Sequence, residues 1–142
     1  MIHLAKGLIP FWDDYLIDQQ FTDAELSVNR PVKTDISMRF DQPWEGNCTN
    51  FVTIIKDDDR YRMYYLAWGY FDETHPEKDV NVCYAESKDG ICWERPVIGL
   101  YEFRGSKENN IIMPDIPDNF TPMKDTNPAC PPEHRYKALM MS

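Results

Sequence analysis

The sequence predicts an all-β fold, and three observations predict it. Short β-branched and aromatic runs alternate with turn clusters, Asp-rich and Asp-Gly turns join neighbouring runs, and a strand opening Arg60-Tyr61-Arg62 returns as Arg135-Tyr136-Lys137. Phe51–Ile55 is the first run, apolar on both faces. It ends at the turn Lys56-Asp57-Asp58-Asp59, and Arg60–Trp68 follows as the returning strand of a hairpin. The three consecutive aspartates form a solvated hairpin tip in this reading, because they lack the spaced ligands and closing Glu of a calcium loop.

Val80–Glu86 is the third strand. Val80, Val82 and Tyr84 alternate with smaller or polar neighbours, the pattern of a half-buried antiparallel strand. It runs into Ser87-Lys88-Asp89-Gly90, where glycine accepts the positive φ that a hairpin turn needs. A fourth strand is expected around Ile91–Glu94, so that residues 50–95 hold a complete four-stranded meander. The polar segment Phe71–Asp79 reads as an exposed connection, with His75 a solvated loop residue.

The second Arg-Tyr pair lies 75 residues after the first, again after a turn rich in charge or proline and at the start of an apolar strand. A sheet-sized repeat of this kind suggests a β-propeller, whose blades are four-stranded meanders around an axis. The chain then divides into a lead-in segment and entry to the first blade (1–49), a first four-stranded blade with its connection (50–115), and the truncated start of a second blade (116–142).

Composition bounds the function. The 142 residues carry 24 Asp+Glu against 15 Lys+Arg, a formal net charge of −9. That balance argues against nucleic acid or an anionic membrane surface as the main partner, since nothing offsets repulsion from phosphates. No apolar run is long enough to span a bilayer as a helix. The opening apolar stretch holds Lys6 and breaks at Pro10, which reads as no signal peptide and hence a cytoplasmic protein. An incomplete N-terminus would instead allow a secreted or periplasmic one. Cys48, Cys83, Cys92 and Cys130 have no C-x-x-C spacing and no nearby His cluster, so free buried thiols are expected and a zinc site is not.

Several stretches together resemble the N-terminal part of five-bladed β-propeller glycosidases, the arabinosidase/xylosidase-type and invertase-type enzymes of glycoside hydrolase families 43 and 32 and their bacterial relatives. These stretches are Pro43-Trp44-Glu45-Gly46, Arg60–Tyr65, Val82–Glu94 and Lys124-Asp125-Thr126-Asn127-Pro128. Phe11–Asp18 is similar to their lead-in strand, and the likeness runs from about residue 11 to the end. Ser87–Trp93 is also similar to the Ser-x-Asp-x-Gly-x-Thr-Trp turn box of sialidases, with Gly directly after Asp and Cys where Thr is usual. In that box Ser and Asp bind the turn backbone and Trp packs beneath.

The resemblance implies carboxylates on the innermost strands of successive blades, because glycosidic cleavage needs two of them flanking the scissile bond. Asp125 looks like the second-blade aspartate, although the family's proline is displaced to Pro128. The 75-residue offset places Asn50 opposite Asp125, and an amide serves as neither base nor nucleophile. Glu45, beside Trp44 as a sugar-stacking wall, is therefore the first-blade candidate, with Trp44 and Asn50 as substrate-binding candidates. The general acid, a third-blade Glu, is expected beyond Ser142. Trp68 and Tyr65 read as blade core.

Three functions follow as alternatives: a glycosidase in the full-length protein, a propeller that binds glycans without cleaving them, and a structural or interaction module. The expected partner is an oligo- or polysaccharide, with no cofactor and no metal. An incomplete propeller leaves strand edges and an apolar blade face unpaired, so the isolated chain is expected to be inactive and to self-associate.

Overall fold

The computed structural model describes residues 6, 7, 10, 12–69, 80–116 and 118–141. The chain divides into two compact units, the first ending at Thr34 and the second beginning at Asp35. No strand or helix forms among the described residues of the first unit. Asp13 and Asp18 there turn their carboxylates onto the backbone N–H groups of Tyr15 and Gln20, and such local bonds favour turns over the lead-in strand expected at Phe11–Asp18. Phe11 itself, and the connection 71–79 with His75, lie outside the described residues.

The second unit is all-β. Strands β1 (Cys48–Asp57), β2 (Arg60–Trp68), β3 (Val80–Ser87) and β4 (Ile111–Met113) form one antiparallel sheet in that order. Strands β5 (Thr121–Lys124) and β6 (Tyr136–Leu139) form a second sheet, joined through a single 3-10 turn at Pro132–His134. The expected hairpin is present, with Asp57 paired to Arg60 across Asp58 and Asp59. Between Asn50–Leu66 and Thr53–Tyr64 the register slips, so Phe51 and Val52 together face Tyr65. Phe51 takes a positive φ of 48° at this bulge, which bends the strand.

The period-2 pattern splits β2 and β3 cleanly between two faces. Met63, Tyr65, Ala67, Cys83, Ala85 and Ile111 form one cluster, covered by Met38, Phe40, Trp44, Trp93 and Phe103. Leu66, Val80 and Val82 form the other, joined by Ile116 and Phe120 from the stretch that leads to the second sheet. Strand β3 is thus covered on both faces, where the alternation alone suggested one. The polar neighbour Asn81 is buried as well, and its amide reaches the Trp44 carbonyl at 3.4 Å.

The fourth strand is not where the sequence suggested. Ile91 and Cys92 donate their backbone N–H groups to Asp89 Oδ1 (2.8 and 2.7 Å), which takes them out of any ladder. Only Glu94 returns to the sheet, in a two-bond bridge to Glu86. Ser87 Oγ caps the turn by accepting from the N–H groups of Asp89 and Gly90, so the Ser and Asp of this box hold the turn backbone as the sialidase likeness implied. Asp89 is thereby held at a pKa of about 2, chiefly by the N–H groups of Cys92 and Ile91. The fourth strand is supplied instead by Ile111–Met113, after a long excursion anchored by Asn109, whose amide bonds the carbonyls of Tyr101 and Ser106.

Pairing in the second sheet aligns it on the first. Tyr61 faces Lys56 in the first hairpin, and Tyr136 faces Lys124 in the second. Thr53-Ile54-Ile55-Lys56-Asp57 therefore matches Thr121-Pro122-Met123-Lys124-Asp125, and Arg60-Tyr61-Arg62 matches Arg135-Tyr136-Lys137. The first strands are offset by 68 residues and the second strands by 75, because nine residues join Asp125 to Arg135 where two join Asp57 to Arg60. The structural counterpart of Asp125 is Asp57. Asn50, which a constant offset placed there, sits seven residues upstream in β1.

Gly46 sets the entry to β1. It has φ +64° and bridges Trp68 at the end of β2, and a Cβ at this position would lie 2.4 Å from the Trp68 carbonyl oxygen. We expect Gly46→Ala to cost at least about 2 kcal/mol in urea unfolding, from clash and strain together. Gly105→Ala, with φ +83° but open space around it, should cost only about 1 kcal/mol.

Candidate functional site

Glu45 is fully buried and every one of its acceptor directions is used. Oε1 accepts from the Tyr65 hydroxyl at 2.5 Å and from Arg95 Nε at 2.8 Å; Oε2 accepts from Arg95 Nη2 at 3.0 Å and from the Gln42 backbone at 2.9 Å. The Arg95 pair is bidentate, the strongest geometry open to a carboxylate. Burial, with the Glu45 charge beside it, pushes the Tyr65 hydroxyl far above its ordinary pKa, so it stays a donor. Glu45 thus ties the turn at residues 42–45 to β2 and to the excursion that carries Arg95. Further protein packed around it would bury it no less, so a sugar does not reach this carboxylate in this arrangement.

Trp44 belongs to the same network. Its Nε1 donates to Asn110 Oδ1 at 2.6 Å, and the Asn110 amide donates in turn to the Tyr65 hydroxyl and the Tyr84 carbonyl. The indole is held in one orientation, half-buried, with the Phe103 ring edge-on at 6.5 Å. Two clefts meet at it. One of about 250 Å³ is lined by Gln42, Arg95 and Asn110; the other, about 280 Å³, by Pro43, Phe103 and Arg104; Trp44, Glu108 and Asn109 line both. The Arg104 guanidinium lies 5.1 Å from the Phe103 ring centre. A further cleft of about 240 Å³ beside the Ser87–Asp89 turn has no aromatic wall, and the Arg60–Glu86 ion pair at 3.2 Å lines it.

Asp125 directly follows β5. Its side chain is 22% exposed, with Oδ2 on Lys137 Nζ at 2.5 Å and Oδ1 on the Asn127 N–H at 2.9 Å. Those bonds, Lys137 first, hold its pKa at about 2. Glu45 and Asp125 share no bonding partner: one lies under the first sheet and the other at the end of the second. Asn50 sits in β1 opposite Leu66 and its amide donates to Cys48 Sγ at 3.4 Å. Of the four site residues expected from sequence, only Trp44 and Glu45 are brought together.

The expected solvated hairpin tip holds for Asp58 and Asp59, with side chains 89% and 79% exposed, but not for Asp57, which is 3% exposed. Asp57 accepts from Arg62 Nε at 2.5 Å within its own sheet, and from Lys124 Nζ and the Tyr136 hydroxyl of the second sheet. Lys124, Tyr136 and Arg62, in that order, hold its carboxyl well below the usual carboxylate range, against the opposing effect of burial. Among the described residues no cluster of three His, Cys, Asp or Glu side chains could hold a metal ion. Of the four free cysteines only Cys83 is fully buried, and Cys92 is exposed. Burial pushes the Cys83 thiol well up.

Phe103, Arg104 and Glu108, which complete the Trp44 clefts, were not singled out from sequence. They lie in an excursion without strand periodicity, and only its return to Asn110 beside Trp44 brings them into place.

Glu45→Gln should remove the bidentate pair and leave Arg95 with the exposed Asp41 at 3.7 Å as its ionic partner. We expect a loss of about 2 to 3 kcal/mol in denaturant unfolding, below the full value for a deeply buried pair because the Arg95 side chain is 22% exposed. A carboxylate kept only for chemistry would leave stability unchanged on amidation.

Asp57, with a lowered folded pKa, contributes stability that is present above its unfolded pKa of about 3.9 and is lost as pH falls through its folded value. Unfolding free energy should therefore be flat from about pH 7 to 5 and decline below about pH 4. Asp57→Asn should lower the neutral plateau and flatten that decline, and an unchanged acid limb in the variant would contradict the assignment.

No family model, curated protein or solved structure matches this chain.

Proposed function

We propose that the chain is part of a propeller-type protein that binds glycans, and that the sugar lies against Trp44. The observation that carries this reading is the fixed indole at the junction of two clefts, one polar and one apolar. A sugar ring has an apolar C–H face and a rim of hydroxyls. Trp44 offers the first a flat wall with Phe103 set across it, and Glu108, Arg104 and Gln42 offer the second charged and amide partners. Each cleft is below the roughly 300 Å³ floor of drug-sized sites, which suits one ring at a time and not a large cofactor. The meander followed by a second sheet beside β1, and the family likeness of the sequence, support the propeller frame.

Hydrolysis in a longer protein is the second reading, and partial exposure of Asp125 favours it. With a pKa of about 2 this carboxylate is ionised near neutral pH and cannot donate a proton, so it would accept hydroxyls or stabilise charge. Cleavage would require a second carboxyl group, and Glu45 is already committed to Arg95 and Tyr65.

Isothermal calorimetry with the methyl glycosides of glucose, galactose, mannose and xylose tests the first reading. We expect saturable binding of at least one, weakened about five- to tenfold by Glu108→Ala or Arg104→Ala, both surface changes, and unaltered by Asp125→Asn. Absence of saturable binding to a glycan array would overturn it. Turnover of nitrophenyl glycosides abolished by Asp125→Asn would replace it with the second.

A further inference from the structure

The register between the two hairpins exposes a repeated contact of which only one copy is complete. In the complete copy, the acceptor is Asp57 at the end of a first strand, braced by Arg62 of its own hairpin. The donors come from the next hairpin: Lys124, at the end of its first strand, and Tyr136, which faces it. Lys124 Nζ lies 5.9 Å from the Tyr136 ring centre, so ammonium and phenol approach the carboxylate together.

Each half of this contact recurs alone. Asp125 occupies the place of Asp57 and is braced by Lys137 in the place of Arg62, at the same 2.5 Å. It receives Lys137 and the Asn127 N–H, with the Cys130 thiol a weaker third partner, and it has no donor from a further hairpin. Lys56 and Tyr61 occupy the places of Lys124 and Tyr136, with Lys56 Nζ 5.6 Å from the Tyr61 ring centre. Lys56 is exposed, and neither its ammonium nor the Tyr61 hydroxyl has a hydrogen-bond partner among the described residues. One end of the second unit carries a ready acceptor, the other a ready donor pair.

We propose that a second copy of this chain docks head to tail, its Lys56 and Tyr61 entering the Asp125 position as Lys124 and Tyr136 enter that of Asp57. The apolar surface around Asp125 fits the same occupant. On the face that carries Asp125, Met123 and Leu139 are 50% and 75% exposed, whereas their counterparts Ile55 and Tyr64 are half-buried. The contact joins two different surfaces, so it propagates into a ring or a filament and does not close as a two-fold dimer. It is independent of the glycan reading.

Sedimentation of the full chain at about 0.15 M salt, where repulsion from the net charge is screened beyond about 8 Å, tests it. The wild type should form species larger than dimers as concentration rises. Lys56→Ala and Asp125→Asn should each weaken self-association about tenfold or more, with circular dichroism and melting near wild type. The decisive measurement mixes the two variants. Each retains the half that the other lacks, so the mixture should form a one-to-one dimer and stop there. A monomeric wild type at about 100 µM, variants that associate like wild type, or a mixture that stays monomeric would each overturn the proposal.

Discussion

Asp57 is the point on which the second unit turns. A carboxylate with 3% of its side chain exposed is costly to keep ionised, and three donors offset that cost: one from its own hairpin and two from the next. Because those donors come from both sheets, the ion is satisfied only when β5 and β6 lie against β1 in one register. The apolar packing of Ile116 and Phe120 on Leu66 and Val82 is less demanding of position. Hydrophobic burial brings the sheets together, and the buried ion fixes how they meet.

Glu45 does the same work at the opposite face. There the partners to be aligned are a turn, a strand and an excursion, and the bidentate Arg95 pair with the Tyr65 bond aligns all three. The orientation of Trp44 depends on this indirectly. Asn110 holds the indole while also bonding the Tyr65 hydroxyl, and that hydroxyl is positioned by Glu45. A chain with a net charge of −9 therefore spends two of its acidic groups inside, each matched to cations, while Asp58 and Asp59 remain in water.

Much of the fold was legible because it follows local rules. The hairpin shows in two apolar runs around an aspartate turn, and β3 in its alternation. The fourth strand was misplaced because Ile91-Cys92-Trp93-Glu94 has strand composition while Asp89 claims the N–H groups that a strand there would need. The true β4 is three residues long and gives no periodic signal. The buried role of Glu45 was invisible for a different reason: its partners lie 20 and 50 residues away, and nothing in Pro43-Trp44-Glu45-Gly46 announces them. Asp125 was paired with Asn50 by assuming one offset. The match of Thr-x-x-Lys-Asp at 53–57 and 121–125 was present in the sequence, but a connection lengthened by seven residues hid it.

That repeat also separates what a side chain is from what it meets. Tyr61 and Tyr136 are the same residue type in the same register, each facing a lysine, yet Tyr136 has its hydroxyl bonded to Asp57 while the residue is 51% exposed, and Tyr61 is half-buried with no such bond. Neither propensity nor hydropathy accounts for the difference. Tyr136 has a neighbouring unit that offers an acceptor but little cover; Tyr61 has cover, where its ring lies near Gly90, but no acceptor. Met123 and Leu139 on the second sheet are exposed, whereas Ile55 and Tyr64 in the same places on β1 and β2 are half-buried.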